Sequence, residues 1–106
     1  MKLSQNQLNY FKKNGFLLIH DLYDKKNMKE IIQWTDEVTN YPEVPNKYMM
    51  YFEESKLEKG KRILSRMEDI EPFHQGFSGL FVRGEIQQVT SQLFNEEALL
   101  FKDKLN

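Results

Sequence analysis

The 106-residue sequence predicts an α+β chain, in which stretches with apolar residues three and four apart alternate with short apolar or two-periodic runs. Three observations carry that reading. The first is a helix with a capping box at its start and a glycine at its exit. The second is a longer helix opened by an aspartate, and the third is an alternating run between Ile63 and Met67. About four helical segments and three or four short strands are expected.

The opening helix is set by Ser4 and Gln7, whose spacing lets each side chain satisfy an orphan backbone N–H of the other residue. Leu3 and Leu8 stand at the staple positions around that cap. Leu8 and Phe11 share a face, and Gly15 supplies a left-handed exit. Phe16–His20 then reads as a short buried strand. Asp24 caps a second helix with an apolar stripe of Met28, Ile31, Ile32, Thr35 and Val38, and Trp34 is expected at the edge of that stripe. Pro42 and Pro45 end it, because the residue before proline avoids helical geometry.

Tyr48–Phe52 reads as the next strand and Glu53–Lys61, with Gly60, as a solvated loop. Ile63, Ser65 and Met67 alternate with Leu64, Arg66 and Glu68, which predicts a further strand. Phe77–Val82 has helical spacing, breaks near Arg83-Gly84, and resumes through Ile86, Val89 and Leu93. From Leu99 the pattern alternates again: Phe101, Asp103 and Leu105 oppose Leu100, Lys102, Lys104 and Asn106. The sequence stops inside that expected strand, which is unusual for a complete domain.

Composition narrows the function classes. Eight Phe, five Tyr and one Trp give a chain that can build a core, unlike a disordered tail. Fifteen basic and sixteen acidic residues leave a net charge of −1, which argues against a general electrostatic grip on nucleic acid or an anionic membrane. With no cysteine, thiolate chemistry, disulfides and Cys-ligated zinc are excluded. Phe16–Ile19 is too short for a signal-peptide core or a membrane span, and a reducing, cytoplasmic setting fits best.

Few residues stand in patterns that carry chemistry. A facial-triad iron site needs two His and a carboxylate. His20 is followed by Asp21-Leu22 and His74 by Gln75-Gly76, so neither makes a His-x-Asp or His-x-Glu pair, and no metal ligands are assigned. The plain reading puts His20 at a strand end and His74 in a loop. Ser78, in Gly76-Phe77-Ser78-Gly79, lacks the strand-turn-helix setting of a nucleophile elbow, and those glycines are expected to let two helices pack closely. No glycine cluster joins a strand to a helix as in a phosphate loop. Glu53-Glu54 and Glu96-Glu97 read as solvated faces.

Three basic residues remain. Arg66 interrupts an apolar strand, and Lys102 and Lys104 share a face with Leu100. A basic residue facing a sheet interior needs a partner. A dicarboxylate co-substrate is one candidate. An ion pair with Glu68 or Asp69, or exposure on an edge strand, is the plainer one.

Taken in order, four stretches resemble one family. Leu8–Ile19, Trp34–Glu37 with Pro42–Pro45, the pair Met49–Ser55 and Arg62–Glu68, and Leu100–Asn106 are similar to the opening of phytanoyl-CoA dioxygenase-like proteins, most of all a bacterial branch. The resemblance implies a double-stranded β-helix (jelly-roll) oxygenase, with residues 1–106 as the N-terminal portion of its domain. These residues would supply the helical layer and the first strands of an incomplete sheet.

The resemblance also implies Fe(II) and 2-oxoglutarate as cofactors and hydroxylation of a small molecule or acyl thioester. Arg66, and more loosely Lys104, would contact 2-oxoglutarate. In that family the His-x-Asp pair, the distal His and the anchoring Arg lie beyond the matching stretch, so no cofactor is expected to bind this chain alone. The expected partner is a missing catalytic half, or a second copy through the C-terminal edge strand. The other reading is a non-enzymatic α+β interaction module that packs against a partner protein.

Overall fold

The computed structural model describes residues 1–106. Helix α1 (Gln5–Asn14) starts at the expected capping box: the Gln7 N–H donates to Ser4 Oγ at 3.2 Å, and the Ser4 N–H donates to Gln7 Oε1 at 2.8 Å. Gly15 closes it at φ 78°, a left-handed geometry that costs a side-chain-bearing residue about 1 kcal/mol or more. Helix α2 (Lys25–Thr39) opens where Asp24 Oδ1 accepts the Asn27 N–H at 2.8 Å. Strands β1 (Met49–Glu54) and β2 (Arg62–Glu68) form a hairpin. A 3₁₀ turn at Glu71–Phe73, helix α3 (Gln75–Ser78), a π-helical turn at Gly79–Arg83 and helix α4 (Glu85–Phe94) follow. Strand β3 (Lys104–Leu105) comes last. The α+β class read from the sequence therefore holds.

The sheet is antiparallel, in the order β1-β2-β3. Tyr51 faces Arg66 while Phe52 faces Leu64, so Ser65 is an extra residue that bulges β2. Ser65 Oγ donates to the Tyr51 carbonyl at 3.1 Å and holds the bulge. A bulge re-aims the side chains around it, which lets Leu64 and Met67, three apart, both pack against the core. That core consists of Val38 from α2, Tyr48 before β1, Met67 from β2, Ile70, and Phe77 from α3. Phe77 stacks on Phe81 at 5.4 Å between centroids and meets Trp34 edge-on at 5.9 Å.

The core is small for the chain. Nine of 106 residues are buried, and the accessible surface is 8395 Å². A compact monomer of this mass exposes about 6,300 Å². The radius of gyration is 16.9 Å, whereas a globular chain of this length has about 13 Å. Much of the surplus is apolar: Leu57, Leu99 and Phe101 are 97%, 82% and 100% exposed. No helix is long and apolar enough to cross a membrane.

Several sequence expectations are corrected. Phe16–His20 is not a buried strand: it has no ladder partner, and Phe16 and Leu18 lie exposed, with Phe16 edge-on to Tyr10. The α2 stripe is only partly covered, since Val38 is buried but Met28 and Ile32 are exposed. Strand β1 starts at Met49 and runs on to Glu54, so the solvated loop begins later than expected. The C-terminal strand spans only Lys104–Leu105. The reason is local. Asp103 turns inward to hold the backbone beyond β2, and Leu99–Phe101 then lies outside any ladder.

Candidate functional site

The end of β2 gathers most of the chain's buried charge. Glu68, the last β2 residue, is 3% exposed, although it is a carboxylate. Burial of that kind requires partners. Lys102 Nζ lies 3.0 Å from Glu68 Oε2, and Arg66 Nε lies 3.3 Å from Oε1. The Tyr51 hydroxyl donates to Oε2 at 3.4 Å from the neighbouring strand. Lys102 first, then Arg66 and Tyr51, hold the Glu68 carboxyl below the usual carboxylate range, against the opposing effect of desolvation.

Arg66 is placed by two neighbours. Its guanidinium carbon stands 4.1 Å over the centre of the Tyr51 ring, an arrangement that attracts a cation to the ring face. Its Nε is buried and makes no well-formed hydrogen bond, although it stands 3.3 Å from Glu68 Oε1. Lys104 pairs through its backbone with Glu68, and its side chain is exposed. Two of the three basic residues singled out from sequence, Arg66 and Lys102, thus converge on one acidic residue, while Lys104 stands opposite it in the ladder without an ion pair.

The turn after β2 is fixed by a second carboxylate. Asp69 adopts φ 61°, and Asp103, 7% exposed, accepts the Ile70 N–H at 2.9 Å and the Glu71 N–H at 3.0 Å. Glu71 in turn accepts the Ser78 hydroxyl at 2.5 Å. Beside this turn lies an open cavity of about 460 Å³, bordered by Met49, Glu68, Asp69, Glu71, Leu100 and Lys102. Glu68 stands at its wall.

The histidines are not joined. His20 lies in a turn. His74 caps α3, with Nδ1 accepting the Phe77 N–H at 3.2 Å and Nε2 held 2.7 Å from Glu37 Oε2. The Nδ1 contact fixes the neutral tautomer with the proton on Nε2, which donates to Glu37. That bond, with one from Gln33, lowers the Glu37 carboxyl from its ordinary value. No three His, Cys, Asp or Glu side chains gather where they could hold a metal ion.

Asp103 escaped sequence reasoning altogether. Glu68 was visible only as one possible partner for Arg66. The available signal was the pair of acidic positions, Glu68 and Asp103, embedded in runs otherwise read as strands.

Two curated proteins are similar to the chain along almost its whole length. It is 35% identical over 103 residues to 2-aminoethylphosphonate dioxygenase from uncultured bacterium HF130_AEPn_1, which covers 97% of this chain and 39% of that protein. It is 28% identical over 104 residues to methylphosphonate hydroxylase from Gimesia maris, covering 98% and 39%. The chain thus spans about two fifths of the length of the curated relatives it matches, one of which is named a dioxygenase and the other a hydroxylase. No protein-family model matches the chain. No solved structure matches it either.

Proposed function

We propose that this chain forms part of an Fe(II)/2-oxoglutarate-dependent oxygenase that hydroxylates a small organophosphonate. The observation that carries this reading is the similarity, over 97% of the chain, to a protein named 2-aminoethylphosphonate dioxygenase. The phytanoyl-CoA dioxygenase-like resemblance of the sequence agrees with it and supplies the jelly-roll expectation. The large apolar surface outside the small core also fits a layer that packs against further protein.

Iron, when bound in such an enzyme, supplies the oxygen-activating centre, with one oxygen atom passing to the substrate and one to succinate as 2-oxoglutarate loses CO2. The His and carboxylate residues of this chain do not fit that ion, since they form no triad. The 2-oxoglutarate side is different. Arg66 keeps a buried Nε–H with no well-formed acceptor, Lys102 adds positive charge beside the same carboxylate, and Lys104 stands opposite Glu68 in the ladder. These residues can hold a carboxylate, with Arg66 as the chief donor. Glu68 occupies that charge in its absence.

The test joins this chain to the residues that follow the matched segment in 2-aminoethylphosphonate dioxygenase. Phosphorus NMR of the fusion, supplied with Fe(II), 2-oxoglutarate and oxygen, is expected to show a hydroxylated product from 2-aminoethylphosphonate or methylphosphonate. A folded fusion that converts neither compound overturns the reading.

A further inference from the structure

Strand β2 is paired unequally on its two sides. Strand β1 follows it along its whole length, from Met49 opposite Glu68 to Glu54 opposite Arg62. Strand β3 meets only Met67 and Glu68, through Leu105 and Lys104. On that side the backbone of Arg62–Arg66 has no strand neighbour. An open edge of this kind is a template for another strand.

The edge is not bare surface. A cavity of about 160 Å³ runs along it, with Thr35 and Thr39 of α2 on one side and Leu64, Ser65, Met67 and Leu105 on the other. Helix α2 thus roofs the place that a further strand would take. The α2 positions Met28 and Ile32 are also left uncovered, at 43% and 58% exposure.

We propose that the free edge of β2 at Arg62–Arg66 receives an antiparallel strand from the remainder of the oxygenase, in the register that β3 begins. This rests on the oxygenase reading and names the docking edge for the rest of that protein. Three observations support it. Extending the β3 register by one residue sets Asn106 opposite Arg66 and leaves Ser65 and Leu64 open to an added strand in the same register. The relatives are longer than the matched segment by about three fifths of their own length. A second copy is a poor occupant, because antiparallel β2–β2 pairing centred on Leu64 sets Arg62 against Arg66 twice, and like charges directly opposite repel.

Amide hydrogen exchange of the 106-residue chain tests the proposal. The probe is the portion of 2-aminoethylphosphonate dioxygenase that follows the matched segment, co-expressed as a separate chain. In the chain alone, amides of Arg62–Arg66 that point away from β1 should exchange quickly. With the probe bound they should slow at least tenfold. Thr39→Trp, which fills the cavity from an exposed α2 position, should abolish that slowing and leave the chain folded.

Binding without slowing at Arg62–Arg66, or slowing untouched by Thr39→Trp, overturns the edge proposal and leaves the oxygenase reading standing. Complete failure of the probe to bind the folded chain counts against both. Slow exchange that grows with the concentration of the chain alone makes a second copy the occupant and also overturns it.

Discussion

Asp103 accepts the Ile70 N–H at 2.9 Å across 33 residues of sequence, and this bond ties the last segment of the chain to the core. Ile70 is fully buried, so its N–H has no water to turn to. The second oxygen takes the Glu71 N–H, and one side chain serves the turn that leads into the 3₁₀ turn at Glu71–Phe73. An unsatisfied buried donor costs about 1–3 kcal/mol. Asp103→Ala is therefore expected to destabilise the chain by about 2–5 kcal/mol, summing a buried and a part-buried donor. Chemical denaturation checks this, with fast exchange at Ile70 and Glu71 as the local sign; a stability equal to that of the unaltered chain contradicts it.

Glu68 gives a pH dependence of known sign. Its carboxyl is held below its ordinary value of 4.5 in the folded chain, chiefly by Lys102. A group with a depressed folded pKa contributes stability that is present above the unfolded value and is lost as the pH falls through the folded one. The stability difference between the chain and its Glu68→Gln variant should hold from neutral pH down to about 4.5 and shrink below it. Thermal melts across that range read it out. A difference that widens on acidification has the wrong sign.

Gly76 lies under the Trp34 ring, where a Cβ would collide with the indole Cε2. Trp34 also contacts Phe77 and His74, so it has little room to move. Gly76→Ala is expected to cost about 1–3 kcal/mol through overpacking. Gly79→Ala, with nothing within 4 Å of the new atom, should change stability little. Equal effects at the two positions would refute the close α2–α3 approach.

Arg66 is the residue whose role most needs a ligand. In the fusion with the relative's remaining segment, Arg66→Ala is expected to weaken 2-oxoglutarate binding by about 1.5–3 kcal/mol, the loss of a charge-assisted hydrogen bond. Calorimetric titration measures it. Unchanged affinity would leave Arg66 as a partner of Glu68 and Tyr51 alone.

The helix ends were legible because they are local. The Ser4–Gln7 box, the Asp24 cap and the Gly15 exit involve residues within four positions of one another. Strands β1 and β2 were legible as separate apolar or alternating runs, although their pairing was not. Phe16–His20 was misread, and the C-terminal strand, which spans only Lys104–Leu105, was read too long, because an apolar or alternating run becomes a strand only where another strand offers a ladder. The bulge at Ser65 is likewise a property of two strands together, invisible in β2 alone.

The cluster at Glu68 was half visible. Arg66, Lys102 and Lys104 stood out as basic residues in apolar runs. That Arg66 and Lys102 meet one carboxylate, with Lys104 opposite it in the ladder, depends on β3 crossing beside the end of β2, which no spacing within either run encodes. Asp103 was hidden by the alternation that marked its run as a strand, since that pattern groups it with Phe101 and Leu105 and says nothing of the distant backbone N–H groups it accepts.

The claim that this chain belongs to a 2-oxoglutarate-dependent oxygenase acting on phosphonates is tested most directly by decarboxylation of the co-substrate. Release of labelled CO2 from carboxyl-labelled 2-oxoglutarate is measured for the fusion with Fe(II) and oxygen, with and without 2-aminoethylphosphonate or methylphosphonate. The account predicts release that requires Fe(II) and rises at least tenfold when the accepted phosphonate is present. Release that is absent from a folded fusion, or indifferent to both phosphonates, would contradict it.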